Sequence, residues 1–449
     1  MSKQLELPFE SRGEASGTGR SGEASTATRG DERSGTTTLM ERVVEPGNAK
    51  RALQRVKRNH GSPGVDGMTV EDLPAYWLRH WEEIREQLLS GTYQPQPVKR
   101  QSIPKRGGGE RELGIPTVLD RFIQQCILQV LQPRFDPTFS EHSYGFRPGR
   151  SAHDAVCAAR NYVQEGRRFV VDLDLEKFFD RVNHDVLMGR LAQRIADKRL
   201  LALIRRYLTA GILAGGVTKE RYEGTPQGGP LSPLLANVLL DEVDRELETR
   251  GHAFVRYADD CHVYVRSRRA GERVLELLRR LYAGLRLRIN EAKSAVVRFK
   301  DSELLGFRFW IGPGRTIRVR VAPESMRAMK QQVRTMTGRN GGRSLESVMG
   351  RLRGYLAGWK QYFRLSQTPR VFEDLDKWIR RRLRMVQLKQ WKRGRTAYRE
   401  LRARGVSPLV AARACSHLRR WWLTSKHLAL NLALPPSYFD RLGVPRLAP

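Results

Sequence analysis

Two short β-rich runs joined by a very short turn constrain the possible fold of this sequence more than any other feature. The runs are Ala253–Tyr257 and residues 261–265, and Asp259 and Asp260 lie in the turn between them. Such a pair of runs predicts an antiparallel hairpin. The hairpin would present two carboxylates at its tip, although an ordinary turn also uses Asp, which tolerates turn geometry.

A third carboxylate ends another predicted strand. Residues 169–174 read Phe-Val-Val-Asp-Leu-Asp, which predicts a buried strand with an acidic end at Asp174. Two-metal phosphoryl or nucleotidyl transfer needs carboxylates that converge from rigid backbone, because the two ions lie about 3.5–4 Å apart. A strand-end Asp beside an Asp-Asp hairpin meets this need. Oxygen ligands suit Mg²⁺, which also keeps water and binds substrate phosphates.

The charge of the chain favours a polyanionic partner. The formal net charge is +33 over 449 residues, and each phosphate that a protein neutralises releases counterions. Residues 321–449 hold 28 Lys and Arg against seven Asp and Glu, a net charge of +21. We therefore expect a nucleic acid to be bound mainly by the C-terminal part. A merely solvated surface would mix both signs.

Composition and periodicity divide the chain into regions. Residues 1–38 are expected to form a disordered tail, because their Gly-, Ser- and Thr-rich composition cannot bury a core. Residues 40–89 read as helical, and 98–103 with 111–115 predict a hairpin around a Gly-rich turn. Beyond residue 321 we expect helices only. Residues 345–364 show the rhythm of an amphipathic helix, whose aromatic side chains should lie in the core.

The sequence shows no targeting signal. It has no apolar run of about 18 residues, the length that predicts a membrane span. It also lacks the basic start and apolar stretch of a secretory signal. We therefore expect a cytoplasmic protein.

A series of short blocks, taken in order, resembles bacterial group II intron-encoded reverse transcriptases and maturases. The resemblance extends from about residue 48 to the C-terminus. The blocks are 103–105, 111–117, 120–121, 143–151, 174–180, 226–229, 257–260, Asn290 with Lys293, 305–306 and, for the maturase domain, 355–363. No single block decides the matter, whereas the ordered series does.

The resemblance implies an α+β, right-hand polymerase fold. Residues 39–320 would form the fingers and a palm with an antiparallel sheet, with 39–97 as an N-terminal extension. Residues 321–430 would form an all-helical thumb or maturase domain, and 431–449 a C-terminal tail. Many relatives append an endonuclease domain, and we expect none in this chain.

The resemblance also implies roles for the acidic residues. Asp174 and Asp259 match the two main metal ligands, the Leu175 carbonyl is a further ligand, and Asp260 assists. Two Mg²⁺ ions, with Mn²⁺ as a substitute, are the implied cofactors. Asp172 is set aside, because the Phe-Asp pair of the block stands five and six residues after Asp174.

Five further residues match positions that contact the incoming dNTP. They are Lys105, Arg111, Phe179, Gln227 and Lys293. Phe179 would exclude a 2′-OH; the alternative, a core aromatic, better suits its neighbour Phe178 but stays open for both. Alternatives stay open for the others: a plain flexible hairpin around Lys105 and Arg111, a tight turn at Gln227, and a solvated surface position for Lys293, whose implied role is proton donation to pyrophosphate.

The implied partners are group II intron RNA, an RNA template with a DNA primer, dNTPs and, during mobility, target DNA. The candidate RNA-binding residues are Arg147, Arg150, Arg351, Arg353, Lys360, Arg364, Arg380 and Arg381. Arg147 and Arg150 would contact template backbone or brace the fingers. A homodimer is left open. The alternatives to a mobile, splicing-active enzyme are an RNA-binding maturase without polymerase activity and a reverse transcriptase domesticated for defence or retron-type synthesis.

Overall fold

The computed structural model describes residues 38–104, 110–214, 217–219, 221–226, 228–338, 342–416 and 420–448. The chain divides between Ser302 and Glu303 into two compact units, which are described separately. We call residues 38–302 the N-terminal unit and 303–448 the C-terminal unit. The tail expected at residues 1–38 lies, except for Thr38, outside the described residues.

The N-terminal unit mixes helices and strands. Its helices are α1 Leu39–Val43, α2 Pro46–Arg58, α3 Leu73–Ser90, α4 Val118–Phe135, α5 Ala152–Gln164, α6 His184–Ala192, α7 Lys198–Thr209, α8 Ser232–Thr249 and α9 Arg268–Gly284. Its strands are β1 Val98–Pro104, β2 Glu110–Ile115, β3 Phe169–Leu173, β4 Ile212–Ala214, β5 Val217–Lys219, β6 Ala253–Tyr257, β7 Asp260–Val265 and β8 Ala295–Arg298. The predicted helices within 40–89 and the predicted hairpin of β1 and β2 are confirmed.

Four strands form the central sheet, in the order β6-β7-β3-β8, and every neighbouring pair is antiparallel. Side chains alternate between the two faces of a strand. Val171 and Leu173 of β3 and Val263 of β7 lie on the face that joins the hydrophobic core. Helices α8 and α9 pack against this sheet. The opposite face therefore receives the polar residues of β3 and β7, which positions the candidate site.

A second sheet, in the order β2-β1-β4-β5, lies in the same unit. Its β1–β2 hairpin is antiparallel and pairs Ile103 with Arg111, while β1 and β4 run parallel. The α+β class and the antiparallel sheet at the site are confirmed by the two sheets and their surrounding helices.

The C-terminal unit begins with one hairpin and is otherwise helical. Its elements are β9 Phe307–Ile311, β10 Ile317–Val321, α10 Pro323–Met336, α11 Leu345–Tyr362, α12 Pro369–Trp391, α13 Gly394–Ala403, α14 Pro408–Ser416, α15 Trp421–Thr424, α16 Leu428–Ala433 and α17 Pro436–Arg441. The amphipathic α11 buries Leu352, Leu356 and Trp359, as its spacing predicts. Across the described ranges, no helix is long and apolar enough to cross a membrane.

Residues 431–448 are packed, which corrects the expected C-terminal tail. Phe439 of α17 is fully buried. Asp440 accepts a hydrogen bond from Arg380 of α12 at 2.8 Å, and the backbone N–H of Leu447 donates to Asp376. The sequence hides this arrangement because Pro and Gly interrupt the apolar residues of the segment, so no regular helical spacing is visible.

We expect Phe439→Ala to destabilise the C-terminal unit by about 3–5 kcal/mol, the usual cost of emptying a buried Phe site. The exposed neighbour Ser437 provides the control Ser437→Ala, which should stay within about 0.5 kcal/mol of the parent. Urea unfolding followed by circular dichroism measures both free energies. Equal unfolding midpoints for the two variants would show that the segment is not part of the folded unit.

Candidate active site

The turn between β6 and β7 carries the predicted pair of carboxylates. Tyr257 pairs with Asp260, so Ala258 and Asp259 form a two-residue hairpin loop. Ala258 has a φ of 58°, in the left-handed region that such tight hairpin loops require. A residue other than Gly adopts this conformation at a cost of about 1–3 kcal/mol, so its surroundings must enforce it.

Strand register brings Asp174 to the same end of the sheet. Leu173 of β3 pairs with Cys261 of β7. Asp174 comes directly after Leu173 and Asp260 directly before Cys261, so in these antiparallel strands the two Asp residues come opposite each other. Because opposed Cβ atoms in antiparallel strands lie about 4.5–5.5 Å apart, the backbone brings these carboxylates together. The three acidic residues predicted from the sequence thus lie at one end of neighbouring strands.

The carboxylates interact electrostatically. Asp260, the first residue of β7, is solvent-exposed, yet partial desolvation by surrounding protein and then the charges of Asp259, Asp174 and Asp172 raise its pKa to about 7. Like charges held this close disfavour ionisation of one another. A divalent cation would relieve this repulsion.

Asp174 has cationic and amide partners from the segment that precedes β8. The Asn290 side-chain amide donates to Asp174 Oδ2 at 3.2 Å, and Lys293 Nζ lies 3.5 Å from the same oxygen. The backbone N–H of Asp174 donates to Ser294 Oγ at 3.1 Å. The structure therefore places Lys293, a sequence candidate, beside an acidic residue of the site, where its side chain remains largely exposed.

The Leu175 carbonyl faces away from this segment. Leu175 forms an antiparallel bridge with Ile289. The flanking bonds are made by its neighbours, with Asn290 N–H donating to the Asp174 carbonyl and Glu176 N–H donating to the Arg288 carbonyl. Successive carbonyls of an extended chain point in opposite directions. The Leu175 carbonyl therefore points away from this segment.

Asp172 lies on the same face as Asp174, two residues earlier. Its Oδ1 is 3.5 Å from Nε2 of His262, which is its strand partner. Burial lowers the pKa of His262. The Ser302 hydroxyl lies 3.4 Å from both side chains. This Asp172–His262–Ser302 cluster was not anticipated, although the two-residue period of strands places Asp172 beside Asp174.

The two aromatic residues after Asp174 differ in burial. Phe178 is 2% exposed and belongs to the core, whereas Phe179 is partly exposed. Their rings meet edge to face, with centroids 5.0 Å apart. The Phe179 carbonyl accepts a hydrogen bond from Thr225 N–H at 2.7 Å. The backbone of Phe179 thus contacts the loop that leads to α8.

Three of the predicted dNTP contacts cannot be placed. Lys105 and Gln227 lie outside the described residues, and only the backbone of Arg111 is described. Gly228 is closely packed, because a Cβ there would lie 2.8 Å from the Gly114 carbonyl oxygen of β2. Gly228 also has a φ of 141°, which favours glycine.

Arg147 and Arg150 brace a loop. Arg147 is buried, and its guanidinium donates to Asp136 Oδ1 at 2.9 Å and to the Ser143 carbonyl at 3.0 Å. Arg150 donates to the Glu141 carbonyl at 2.6 Å and lies over the Tyr144 ring. For Arg147 the bracing alternative therefore fits better than template contact.

Most cations predicted to bind RNA in the C-terminal unit have protein partners. Arg353 donates to the carbonyls of Gly443 and Leu442, and Lys360 to those of Arg446 and Ala448. Arg381 lies 3.7 Å over the Trp422 ring. Arg351 is partly exposed and Arg364 exposed.

Arg380 differs from these cations in being buried, and this position corrects its predicted role in RNA binding. It is 2% exposed and pairs with Asp376 and Asp440. An arginine that burial and two carboxylates fix in place braces its unit rather than offering its charge to RNA.

Two family models match this chain. The sequence model described as "Reverse transcriptase (RNA-dependent DNA polymerase)" matches residues 103–309, and "Group II intron, maturase-specific domain" matches 326–405. Protein YkfC of Escherichia coli (strain K12) is 33% identical over 313 residues, 60% of this chain and 82% of YkfC. The chain belongs to the reverse transcriptase family. Within this family it is an RNA-directed DNA polymerase that carries a maturase domain.

Two further relatives are intron proteins. Group II intron-encoded protein LtrA of Lactococcus lactis subsp. cremoris is 36% identical over 210 residues, 46% of this chain and 35% of LtrA. Putative COX1/OXI3 intron 1 protein of Saccharomyces cerevisiae (strain ATCC 204508 / S288c) is 31% identical over 198 residues, 44% of this chain and 24% of that protein. This reverse transcriptase therefore spans about a third of the length of LtrA. The resemblance that the ordered sequence blocks indicated is confirmed.

Proposed function

We propose that this reverse transcriptase copies group II intron RNA into cDNA for mobility and acts as a maturase on the same RNA. The observation that carries the polymerase role is the convergence of Asp174 with the Asp259–Asp260 turn at one end of the central sheet. We place it in the bacterial cytoplasm, as a ribonucleoprotein with its intron RNA.

The residues at this end of the sheet fit divalent metal ions. Asp174 and Asp259 would hold them, together with the Leu175 carbonyl, and Asp260 would assist. In the part of the chain that the structure describes, no three His, Cys, Asp or Glu side chains are grouped to hold a metal alone. The oxygen donors of these residues suit Mg²⁺, which proteins bind through one or two carboxylates while water and substrate phosphates complete its shell. When bound, two such ions supply activation of the primer 3′-OH and stabilisation of the pyrophosphate charge.

Other side chains would orient the substrate and move a proton. The Asn290 amide fixes Asp174 through its hydrogen bond. Lys293, within 3.5 Å of Asp174, would donate a proton to the leaving pyrophosphate. Lys105, Arg111 and Gln227 would contact the triphosphate and the nucleotide, and Phe179 would pack against the sugar.

Phe179→Ala should reduce discrimination against ribonucleotides by about tenfold or more, because a steric contact with the 2′-OH would be lost. Single-nucleotide incorporation measures kcat/KM for a dNTP and for the matching rNTP. The control is Phe178→Leu, since Phe178 is buried beside Phe179. It should lower Tm and leave the ratio unchanged. If Phe179→Ala keeps the parental ratio, Phe179 does not select the sugar.

The maturase role is proposed for the C-terminal unit. The maturase-specific match covers residues 326–405, and residues 321–449 carry a net charge of +21. Structured RNA is recognised by shape, phosphate and 2′-OH contacts, which cationic side chains provide. Arg351, Arg353, Lys360, Arg364 and Arg381 are the proposed contacts. Target DNA would use the same basic surface during mobility.

Two assays on the full chain test the proposal. Primer extension on an RNA template with dNTPs tests the polymerase, and splicing of the flanking intron RNA at low Mg²⁺ tests the maturase. We expect Asp259→Asn to abolish extension and to retain splicing assistance. A parent protein that assists splicing without extending a primer would leave only the maturase role. Extension without any effect on splicing would instead favour a domesticated enzyme.

A further inference from the structure

Arg256 is a buried arginine directly beneath the acidic turn. It lies on β6, on the face opposite Tyr257, and its side chain is 0% exposed. Its partner Asp244 on α8 is also 0% exposed. A buried ion pair contributes little net stability compared with an apolar replacement. Its presence here therefore invites an explanation beyond stability.

All five N–H groups of the guanidinium have acceptors. Nε donates to Asp244 Oδ1 at 2.8 Å, and Nη2 donates to Asp244 Oδ2 and to Ser143 Oγ. Nη1 donates to Asn237 Oδ1 at 2.9 Å and to the Ala258 carbonyl at 3.0 Å. Lysine has three donors and no planar fork, so it cannot reproduce this set.

One of these bonds reaches the acidic turn itself. The Ala258 carbonyl belongs to the peptide that joins Ala258 to Asp259. Ala258 is also the residue with the strained φ of 58°. The Arg256 guanidinium therefore holds the peptide plane immediately before the proposed metal ligand.

The loop of Tyr144 and Gly145 packs against the turn and is bonded to Asn237 and to the Arg256 backbone. Asn237, which accepts from Arg256, donates through Nδ2 to the Gly145 carbonyl at 2.9 Å. Tyr144 N–H donates to the Arg256 carbonyl at 2.9 Å. Gly145 lies so close to the turn that a Cβ there would be 2.3 Å from Ala258 N. The turn is thus clamped between the Gly145 backbone and the Arg256 side chain.

We propose that Arg256 is a positioning residue for nucleotidyl transfer, which sets the geometry of the Asp259–Asp260 turn through the Ala258 carbonyl. The inference rests on the proposed polymerase function. It assigns Asp244 and Asn237 of α8 the task of holding the guanidinium in place. Groups that orient metal ligands in this way typically contribute about 10–100-fold to metal affinity or activity.

The test is Arg256→Lys in the full chain, which keeps the charge and removes the fork. We expect kcat for single-nucleotide incorporation to fall about 10–100-fold and the Mg²⁺ midpoint to rise. The KM for dNTP and the Kd for primer–template should stay within about twofold, because changing the turn does not remove contacts to either. Mn²⁺ binding, followed by electron paramagnetic resonance with a 3′-deoxy primer, should weaken without any turnover.

Two further variants keep the test decisive. Asn237→Ala leaves the ion pair intact and removes both an acceptor of Arg256 and the donor to the Gly145 carbonyl, so it decides by the same readouts if Arg256→Lys does not fold. Arg206→Lys is the matched control, because the Arg206 guanidinium on α7 donates to the carbonyls of Gly91 and Tyr93, which follow α3. It should alter Tm without changing the Mg²⁺ midpoint.

The outcomes separate this inference from the proposed function. If Arg256→Lys and Asn237→Ala lower Tm but keep the parental kcat and the parental Mg²⁺ and Mn²⁺ dependence, Arg256 is merely structural and the inference is wrong. If the parent protein does not extend a primer at all, the proposed function fails first. Faster hydrogen exchange of the amides at residues 257–260 in Arg256→Lys, with unchanged exchange in β3, would support positioning.

Discussion

Asp259→Asn should lower primer extension by at least about a thousandfold, since a metal ligand contributes several kcal/mol to the transition state and each 1.36 kcal/mol is tenfold in rate. The replacement keeps the shape of the side chain and removes one charge. Single-turnover incorporation at saturating Mg²⁺ measures the loss. The control is Asp301→Asn, an exposed carboxylate of the same unit, which should keep the parental rate.

The same variant should be more stable than the parent in EDTA above pH 7. The pKa of Asp260 is raised to about 7, in part by Asp259. A carboxyl whose pKa is raised by folding makes the folded state less stable as pH rises from its unfolded pKa to its folded pKa. Removing the Asp259 charge lowers the pKa of Asp260 and reduces that loss. A lower Tm for Asp259→Asn in EDTA at pH 8, or more than a tenth of the parental rate, would contradict the assignment.

Gly145→Ala should lower activity by about 100-fold, although it introduces only a methyl group. A Cβ at this position would lie 2.3 Å from Ala258 N and 3.0 Å from the Tyr257 carbonyl carbon, so backbone must move. Misplacing a reacting group by about 1 Å can cost about 100-fold in rate. Overpacking of this kind also costs about 1–3 kcal/mol of stability.

The matched control for Gly145→Ala is Gly189→Ala. Gly189 lies in α6 of the same unit, and a Cβ there meets nothing within 4 Å. This control should gain about 0.5–1 kcal/mol from helix propensity and keep the parental rate. Incorporation kinetics and thermal unfolding of both variants decide the matter. Parental kinetics for Gly145→Ala would mean that the turn tolerates displacement and that the clamp described for Arg256 has no catalytic importance.

Local patterns were sufficient to predict the acidic end of the sheet. The β-rich runs around Asp259 and the apolar run before Asp174 each predict a strand, and antiparallel register then brings their ends together. Choosing Asp174 over Asp172 needed the resemblance to a family, because the two-residue period of the chain places both residues on the same face. The roles of the predicted site residues stay proposals that the variants above would test.

The partners of buried arginines could not be predicted. Arg380 pairs with Asp440, 60 residues further along the chain, and Arg256 pairs with Asp244 across two elements. Sequence alone shows a cation and gives no reason to bury it, so a basic residue is assigned to solvent or to RNA. The packed segment after residue 431 was missed for a related reason, since its anchoring partners lie on α11 and α12.

The way α11 holds the segment after α17 has a consequence for sequence divergence. Arg353 and Lys360 donate to main-chain carbonyls at residues 442, 443, 446 and 448. Every amino acid supplies a carbonyl, so these contacts do not depend on which side chains the segment carries. Homologous chains could therefore vary freely at such positions and keep the same path, provided that the buried Phe439 and the Asp440 carboxylate are retained.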